Sequence, residues 1–313
     1  MIKVRDVAYG RLRVPDLDAQ EEFLTNFGMI KVARTKKALY MRGTGRAHHL
    51  HVTEQGDPGL VGFAFYAKSE EDLERIARAD GASPVEEIDE PGGGKRVRLT
   101  EPNGFQIEVV YGIATVDAIQ PKRPPVNWRD EPVQRAGDLC RLPVAPSHVK
   151  RMGHAVLNAP DVVKTVKWYR DNLGLIQSDD VYAGSSDNIV GSFNRVDCGD
   201  EYVDHHVFFC ARREPASLNH FSYEVEDIDD VFLGHEHLKG LGKYEHFWGI
   251  GRHLLGSQVY DYWKDPWGHV HEHWTDSDRL NAQSGSFVHP AEKAFVSQWG
   301  PPSPMRRQAQ VAS

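Results

Sequence analysis

The stretch VAYGRLRVPDLDAQEEFLTNFGMI, Val7 to Ile30, returns in altered form as MGHAVLNAPDVVKTVKWYRDNLGLI, Met152 to Ile176. Pro15-Asp16 recurs as Pro160-Asp161 at an offset of 160 − 15 = 145, and Asn26-Phe27-Gly28-Met29-Ile30 recurs as Asn172-Leu173-Gly174-Leu175-Ile176. Both copies read as an alternating strand, a Pro-Asp helix start and an amphipathic helix that stops at glycine. A second pair lies further on, where LTEPNGFQIE (Leu99–Glu108) resembles WKDPWGHVHE (Trp263–Glu272). Such self-similarity marks a duplicated domain. A further strand and acidic helix start fall at Leu60–Leu73 (LVGFAFYAKSEEDL) and again at Leu218–Val231 (LNHFSYEVEDIDDV). Four copies of a strand-helix-strand-strand-strand unit then account for nearly the whole chain. The expected class is α+β, with four βαβββ modules paired into two half-barrel domains.

The expected boundaries follow from composition. Residues 1–119 form an N-terminal domain of two modules, and a proline-rich, charged linker fills 120–147. Residues 148–290 form the C-terminal domain and 291–313 a tail, loose from Pro301 onward (PPSPMRRQAQVAS). The 313 residues are 40% hydrophobic and 26% charged, an ordinary balance for a globular protein. Lys and Arg total 37 against 45 Asp and Glu, a formal charge of −8 that leaves no basic stripe for nucleic acid. No apolar run is long enough for a bilayer, and MIKVRD leads into a strand without an apolar signal core. No membrane partner and a cytoplasmic location are expected. Cys140, Cys198 and Cys210 are too few and too scattered for a disulfide framework and read as free thiols. Most of the 16 histidines follow residue 147, which directs attention to metal chemistry in the second half.

Three residues there form a candidate two-histidine, one-carboxylate set. His154 sits in the first strand of the third unit, His220 at the matching place in the fourth, and Glu272 in the last strand of the fourth. Their spacings, 220 − 154 = 66 and 272 − 220 = 52, are about one unit each. If paired units curve into one half-barrel, equivalent first-strand positions face the same cavity. Two neutral imidazoles and a carboxylate leave three positions open, an arrangement suited to ferrous iron. The first half provides an internal control, since its counterparts are Tyr9, Gly62 and Glu108. Both imidazoles are missing there, so that half is expected to hold no metal.

Gly251 to Glu272, GRHLLGSQVYDYWKDPWGHVHE, carries the strongest resemblance. With the histidine set, it is similar to the signature of the two-domain extradiol ring-cleavage dioxygenases of the vicinal oxygen chelate superfamily, the group of catechol 2,3-dioxygenase and 2,3-dihydroxybiphenyl 1,2-dioxygenase. The likeness covers roughly residues 4 to 290. Asp261 departs from it, standing where an apolar residue is usual. The resemblance implies His154, His220 and Glu272 as ligands of Fe(II), with Mn(II) as the alternative ion. It also implies an acid–base histidine 220 − 205 = 15 residues before the second ligand, which selects His205. His206 is set aside because it would face the other side of a strand. His253 and Tyr262 take the places of groups that hydrogen-bond the substrate oxygens.

The implied reaction is extradiol (meta) cleavage of a catecholic or polyhydroxylated ring, with both atoms of dioxygen incorporated, in aromatic-compound degradation. The partners are an aromatic diol and dioxygen, and the chain is expected to form a homo-oligomer. His246, Tyr244 and Asn194 are further expected to offer polar contacts to a ring bearing an extra hydroxyl or carboxylate. Two alternatives stay open: a glyoxalase-like metal-dependent isomerase or lyase, and a metal-free small-molecule binding protein of the same fold.

Overall fold

A computed structural model describes residues 1–127 and 133–304. Parts of the expected linker (128–132) and tail (305–313) lie outside the described residues. The four units are all present. The first runs β1 (Asp6–Val14), α1 (Leu17–Asn26), β2 (Ile30–Arg34), β3 (Ala38–Arg42) and β4 (His51–Gln55). The second runs β5 (Gly59–Tyr66), α2 (Glu70–Ile76), β6 (Glu86–Glu87), β7 (Lys95–Thr100) and β8 (Gln106–Tyr111). In the third, β9 (Val149–Ala159) and α3 (Val162–Leu173) lead to β10 (Ile176–Tyr182) and β11 (Ile189–Arg195). A two-residue strand, β12 (Val203–Asp204), precedes its last strand, β13 (Phe208–Arg212). The fourth runs β14 (Ser217–Val225), α4 (Ile228–Leu241), β15 (His246–His253), β16 (Val259–Lys264) and β17 (Val270–Thr275).

The Pro-Asp pairs start helices for a physical reason. Asp16 Oδ1 accepts the backbone N–H groups of Asp18 and Ala19 at 2.8 and 3.1 Å, and Asp161 accepts that of Lys164 at 2.9 Å. Each satisfies donors that the first helical turn leaves without partners. Gly174 ends α3 in the left-handed conformation, φ 67°.

Both halves build the same sheet. The first has strand order β2-β3-β4-β1-β5-β8-β7-β6, and β10-β11-β13-β9-β14-β17-β16-β15 repeats it in the second. In each, the first strands of two modules pair antiparallel at the centre (β1 with β5, β9 with β14), and each has its module's last strand parallel beside it. One apolar core runs through both halves, and Phe63 stacks within 6.1 Å of Tyr169 and 6.0 Å of Phe208. Burying one such phenylalanine contributes about 1.5–3 kcal/mol. The Ile2 and Val4 amides also donate to Asn172 and Leu173 carbonyls at the end of α3.

Residues 291–299 of the expected tail carry regular elements, all before the stretch from Pro301 that is expected to be loose. Here β18 (Arg279–Leu280), β19 (Phe287–Pro290), α5 (Ala291–Ala294) and β20 (Ser297–Trp299) follow the fourth module. Strand β19 pairs with β10 at one edge of the second sheet, and β20 pairs with β15 at the other. Between them Phe295 lies 6.3 Å from the ring of Phe209, and just past β20 the Pro301 carbonyl accepts from Trp248 Nε1. The segment is a strap that joins both edges and satisfies backbone groups that free edges would leave open. Among the described residues no helix is long and apolar enough to cross a membrane.

Candidate metal centre

Three adjacent central strands carry the trio. Ser222 on β14 stands opposite both His154 on β9 and Glu272 on β17, so these positions form one row across the sheet. His220 is two residues before Ser222, and strand periodicity puts it on the same face. The donor atoms of His154, His220 and Glu272 all lie within 4.8 Å of one another, and all three residues are buried. His154 Nε2 is 3.0 Å and His220 Nε2 3.4 Å from Glu272 Oε2.

This arrangement fits a metal ion on its own chemistry. His220 Nδ1 meets Asn219 Oδ1 at 2.8 Å, which fixes the hydrogen on Nδ1 and leaves Nε2 as a bare lone pair. That buried Nε2 has no hydrogen-bond partner among the described residues. An unpaired buried acceptor costs about 1–3 kcal/mol unless something binds it. Burial lowers the pKa of His154 despite the neighbouring carboxylate, keeping the imidazole neutral as a ligand must be. Burial by itself would raise the Glu272 pKa, but the surrounding imidazoles of His154, His220 and His253 outweigh it and hold the carboxyl well below its usual range. Ser222 Oγ also donates to Glu272 Oε2.

His253 and Tyr262 stand beside the trio. His253 Nε2 is 2.9 Å from the Tyr262 hydroxyl and 3.3 Å from Glu272 Oε1. Burial, then the charge of Glu272, raises the Tyr262 pKa well above normal, so its phenol remains a hydrogen donor. Strand β15 brings His253 in and β16 brings Tyr262, while β16 pairs Tyr262 directly with Glu272.

The structure does not bring His205 to the trio. Its Nε2 is 2.7 Å from Asp179 Oδ2 and its Nδ1 is 3.0 Å from His206 Nδ1. His206 is the ring that reaches the centre, 4.2 Å from the ring of His154. The alternation argument that set His206 aside required a strand, yet residues 205–207 form a bend between β12 and β13. Pleat parity does not apply there. Asp179 Oδ1 also meets His289 Nε2 at 3.0 Å, which makes a chain His289, Asp179, His205, His206 toward the centre. Sequence reasoning missed Asp179, His289 and Ser222, and only the His205-His206 doublet gave a signal for that chain.

The three expected polar contacts lie elsewhere. His246 Nε2 bonds Asp261, Tyr244 packs edge-on against Phe23, and Asn194 is fully buried beneath Arg170. Local position in a strand gave no way to tell these faces apart.

In the first half the equivalent row is Tyr9, Ala64 and Glu108 across β1, β5 and β8. The Tyr9 hydroxyl donates to Glu108, and guanidinium nitrogens of Arg11 and Arg96 stand 3.7 and 3.5 Å from the same carboxylate. At Gly62, the counterpart of His220, a Cβ atom would come within 1.7 Å of the Gln106 carbonyl oxygen. No imidazole fits there, and Arg98, 3.8 Å away, adds a third guanidinium beside the carboxylate.

Comparison with known proteins agrees with this architecture. The chain is 29% identical over 307 residues to Metapyrocatechase 2 of Cupriavidus necator, covering 96% of this chain and 90% of that protein. The Mn(II)-bound glyoxalase from Novosphingobium aromaticivorans superposes with a TM-score of 0.77 at 24% identity, over 97% of this chain and 94% of that one. Homoprotocatechuate 2,3-dioxygenase from Brevibacterium fuscum, in complex with 3,4-dihydroxyphenylacetate, gives 0.78 at 18% identity, over 98% and 92%. These two structural likenesses bear on the fold alone. A family model matches residues 6–109 and 151–272, one block in each half, and by that match the chain belongs to the Glyoxalase/Bleomycin resistance protein/Dioxygenase superfamily.

Proposed function

We propose that this protein cleaves a catecholic or polyhydroxylated aromatic ring in the extradiol (meta) sense and inserts both atoms of dioxygen. The observation that carries the reading is the buried trio His154, His220 and Glu272 with the bare Nε2 of His220 among its donors. The sequence likeness to a metapyrocatechase over nearly the whole chain supports it. Ferrous iron is the proposed ion, and manganese is the alternative in view of the Mn(II)-bound neighbour. Bound by one face of ligands, such an ion would supply open positions where a diol and dioxygen meet.

The remaining steps belong to side chains. Tyr262, kept protonated, donates to a substrate oxygen, and His253 orients its hydroxyl. Asp179 is held ionised by His205 and His289 against the opposing effect of burial, so it accepts the N–H of His205 Nε2. His205 Nδ1 is then an acceptor for the N–H of His206 Nδ1. That leaves His206 Nε2 free to take a proton from the diol and return it to oxygen later, with burial keeping the imidazole neutral beforehand. His205 is therefore proposed as the group that sets the tautomer of His206, and His206 as the acid–base group. A glyoxalase-like isomerase would call for more ligands and a glutamate base, whereas the trio contains one carboxylate among the described residues.

Oxygen uptake with a panel of catechols, followed at the coloured ring-opened product alongside metal analysis, tests the reading. Uptake of one dioxygen per diol is expected, and product formation without oxygen uptake would overturn it. Domain bounds of 1–119 and 148–290, a linker between them, and a cytoplasmic homo-oligomer belong to the same proposal. Limited proteolysis, cell fractionation and light scattering check them.

A further inference from the structure

A second set of two imidazoles and one carboxylate lies on the far side of β16. We propose that His235, His246 and Asp261 bind a divalent transition-metal ion of the zinc class, independently of the centre described above. His235 comes from α4, His246 from the start of β15 and Asp261 from β16, and their donor atoms lie within 4.8 Å of one another. His246 Nε2 is 2.8 Å from Asp261 Oδ1, and His235 Nδ1 is 3.1 and 3.2 Å from its two oxygens. The imidazole rings meet at 90° with centroids 4.8 Å apart. Donors around a tetrahedral zinc at about 2.0–2.1 Å stand roughly 3.3 Å apart, so small rotamer shifts admit the ion.

The surroundings suit a binding site. Asp261 is 0% exposed, and the indole N–H of Trp263 donates to its Oδ2. That bond orients the carboxylate and leaves Oδ1 as the ligand atom, as outer partners do at metal sites. Gly249 on the neighbouring strand supplies the room, since a Cβ there would come within 2.7 Å of Asp261 Oδ1. The side chain of His246 is 32% exposed, which gives the ion a way in and a water its fourth position. Asp261 is also the one departure noted within the Gly251–Glu272 motif. A buried carboxylate costs stability unless it is paired. Bound metal would clasp α4 to the two strands that carry His253 and Tyr262.

The test uses zinc itself on the full chain. Wild type, His246→Gln, His235→Gln and Glu272→Gln are stripped, equilibrated with a small excess of zinc, passed through a desalting column and analysed for metal and melting midpoint. Two zinc ions per wild-type chain are expected, and one in each variant. A zinc-dependent rise in the midpoint should persist in Glu272→Gln and shrink in the other two. If the histidine variants keep the wild-type zinc content, the trio is an ion-paired cluster only and the proposal falls. One zinc in wild type, lost in His246→Gln but kept in Glu272→Gln, would support this site and defeat the first. One zinc lost only in Glu272→Gln would do the reverse.

Discussion

The Tyr9 hydroxyl donates to Glu108 at the same place in the first sheet where His154 faces Glu272 in the second. One row keeps a carboxylate beside imidazoles, while the other surrounds it with a phenol and three guanidinium groups, those of Arg11, Arg96 and Arg98. Glu272→Gln should therefore lose nearly all bound iron. Glu108→Gln should keep it and lose the charge-assisted hydrogen bond from Tyr9, at a cost of about 1.5–3 kcal/mol in stability, since Arg11 and Arg96 retain Glu90 as a partner. Metal analysis and thermal melting of both variants check this, and equal iron loss in both would refute the assignment.

The bend that carries His205 and His206 separates their proposed roles. His206→Asn should retain iron while turnover falls about 10²- to 10⁴-fold. His205→Asn should cost less, roughly tenfold, because it loses only the fixed tautomer of its neighbour. Asp179→Asn should resemble His205→Asn. Steady-state rates with iron content decide the order, and a larger loss at His205 would reverse it.

Ring cleavage should depend on a reduced ion. Brief peroxide treatment is expected to abolish oxygen uptake, and ferrous salt with ascorbate to restore it. A manganese enzyme would keep its activity through the same treatment. Full activity after complete chelation would defeat any metal-dependent mechanism.

His273 links the two halves, stacking 3.7 Å from the Phe27 ring and donating from Nε2 to the Phe27 carbonyl. Burial lowers its pKa to about 4. The unfolded chain, with an ordinary histidine pKa of about 6.5, then binds more protons than the folded one between these values. The stabilisation is complete above about pH 6.5 and is lost as pH falls toward 4, at up to about 1.4 kcal/mol per pH unit. His273→Gln should flatten the fall in melting temperature between pH 6.5 and 4.5 relative to wild type. An unchanged slope would show that His273 does not titrate as described.

Fold and trio were legible because they rest on local and repeated signals. Asp16 and Asp161 cap helices wherever the chain goes next, and His154 and His220 occupy equivalent places in successive modules. The failures share another cause. The fifteen-residue spacing implied by the resemblance selected His205, and parity set His206 aside only on the assumption of a strand, which the bend at 205–207 removes. The short strands β19 and β20 have no pattern of their own, because the edges they complete lie about 110 and 45 residues earlier in the chain. His235 meets Asp261 only after α4 has packed against β16, which no spacing reveals.

The strap from Phe287 to Trp299 gives the molecule an order in time. Chains emerge from the ribosome N-terminus first, at about 5–20 residues per second. His154, His220 and Glu272 are thus all translated before the segment that later joins β10 to β15. For a few seconds a nascent chain owns every proposed ligand but lacks its fastening. Ion loading in that interval would meet an unlatched sheet, and the arrival of Ser297 beside Tyr260 would end it.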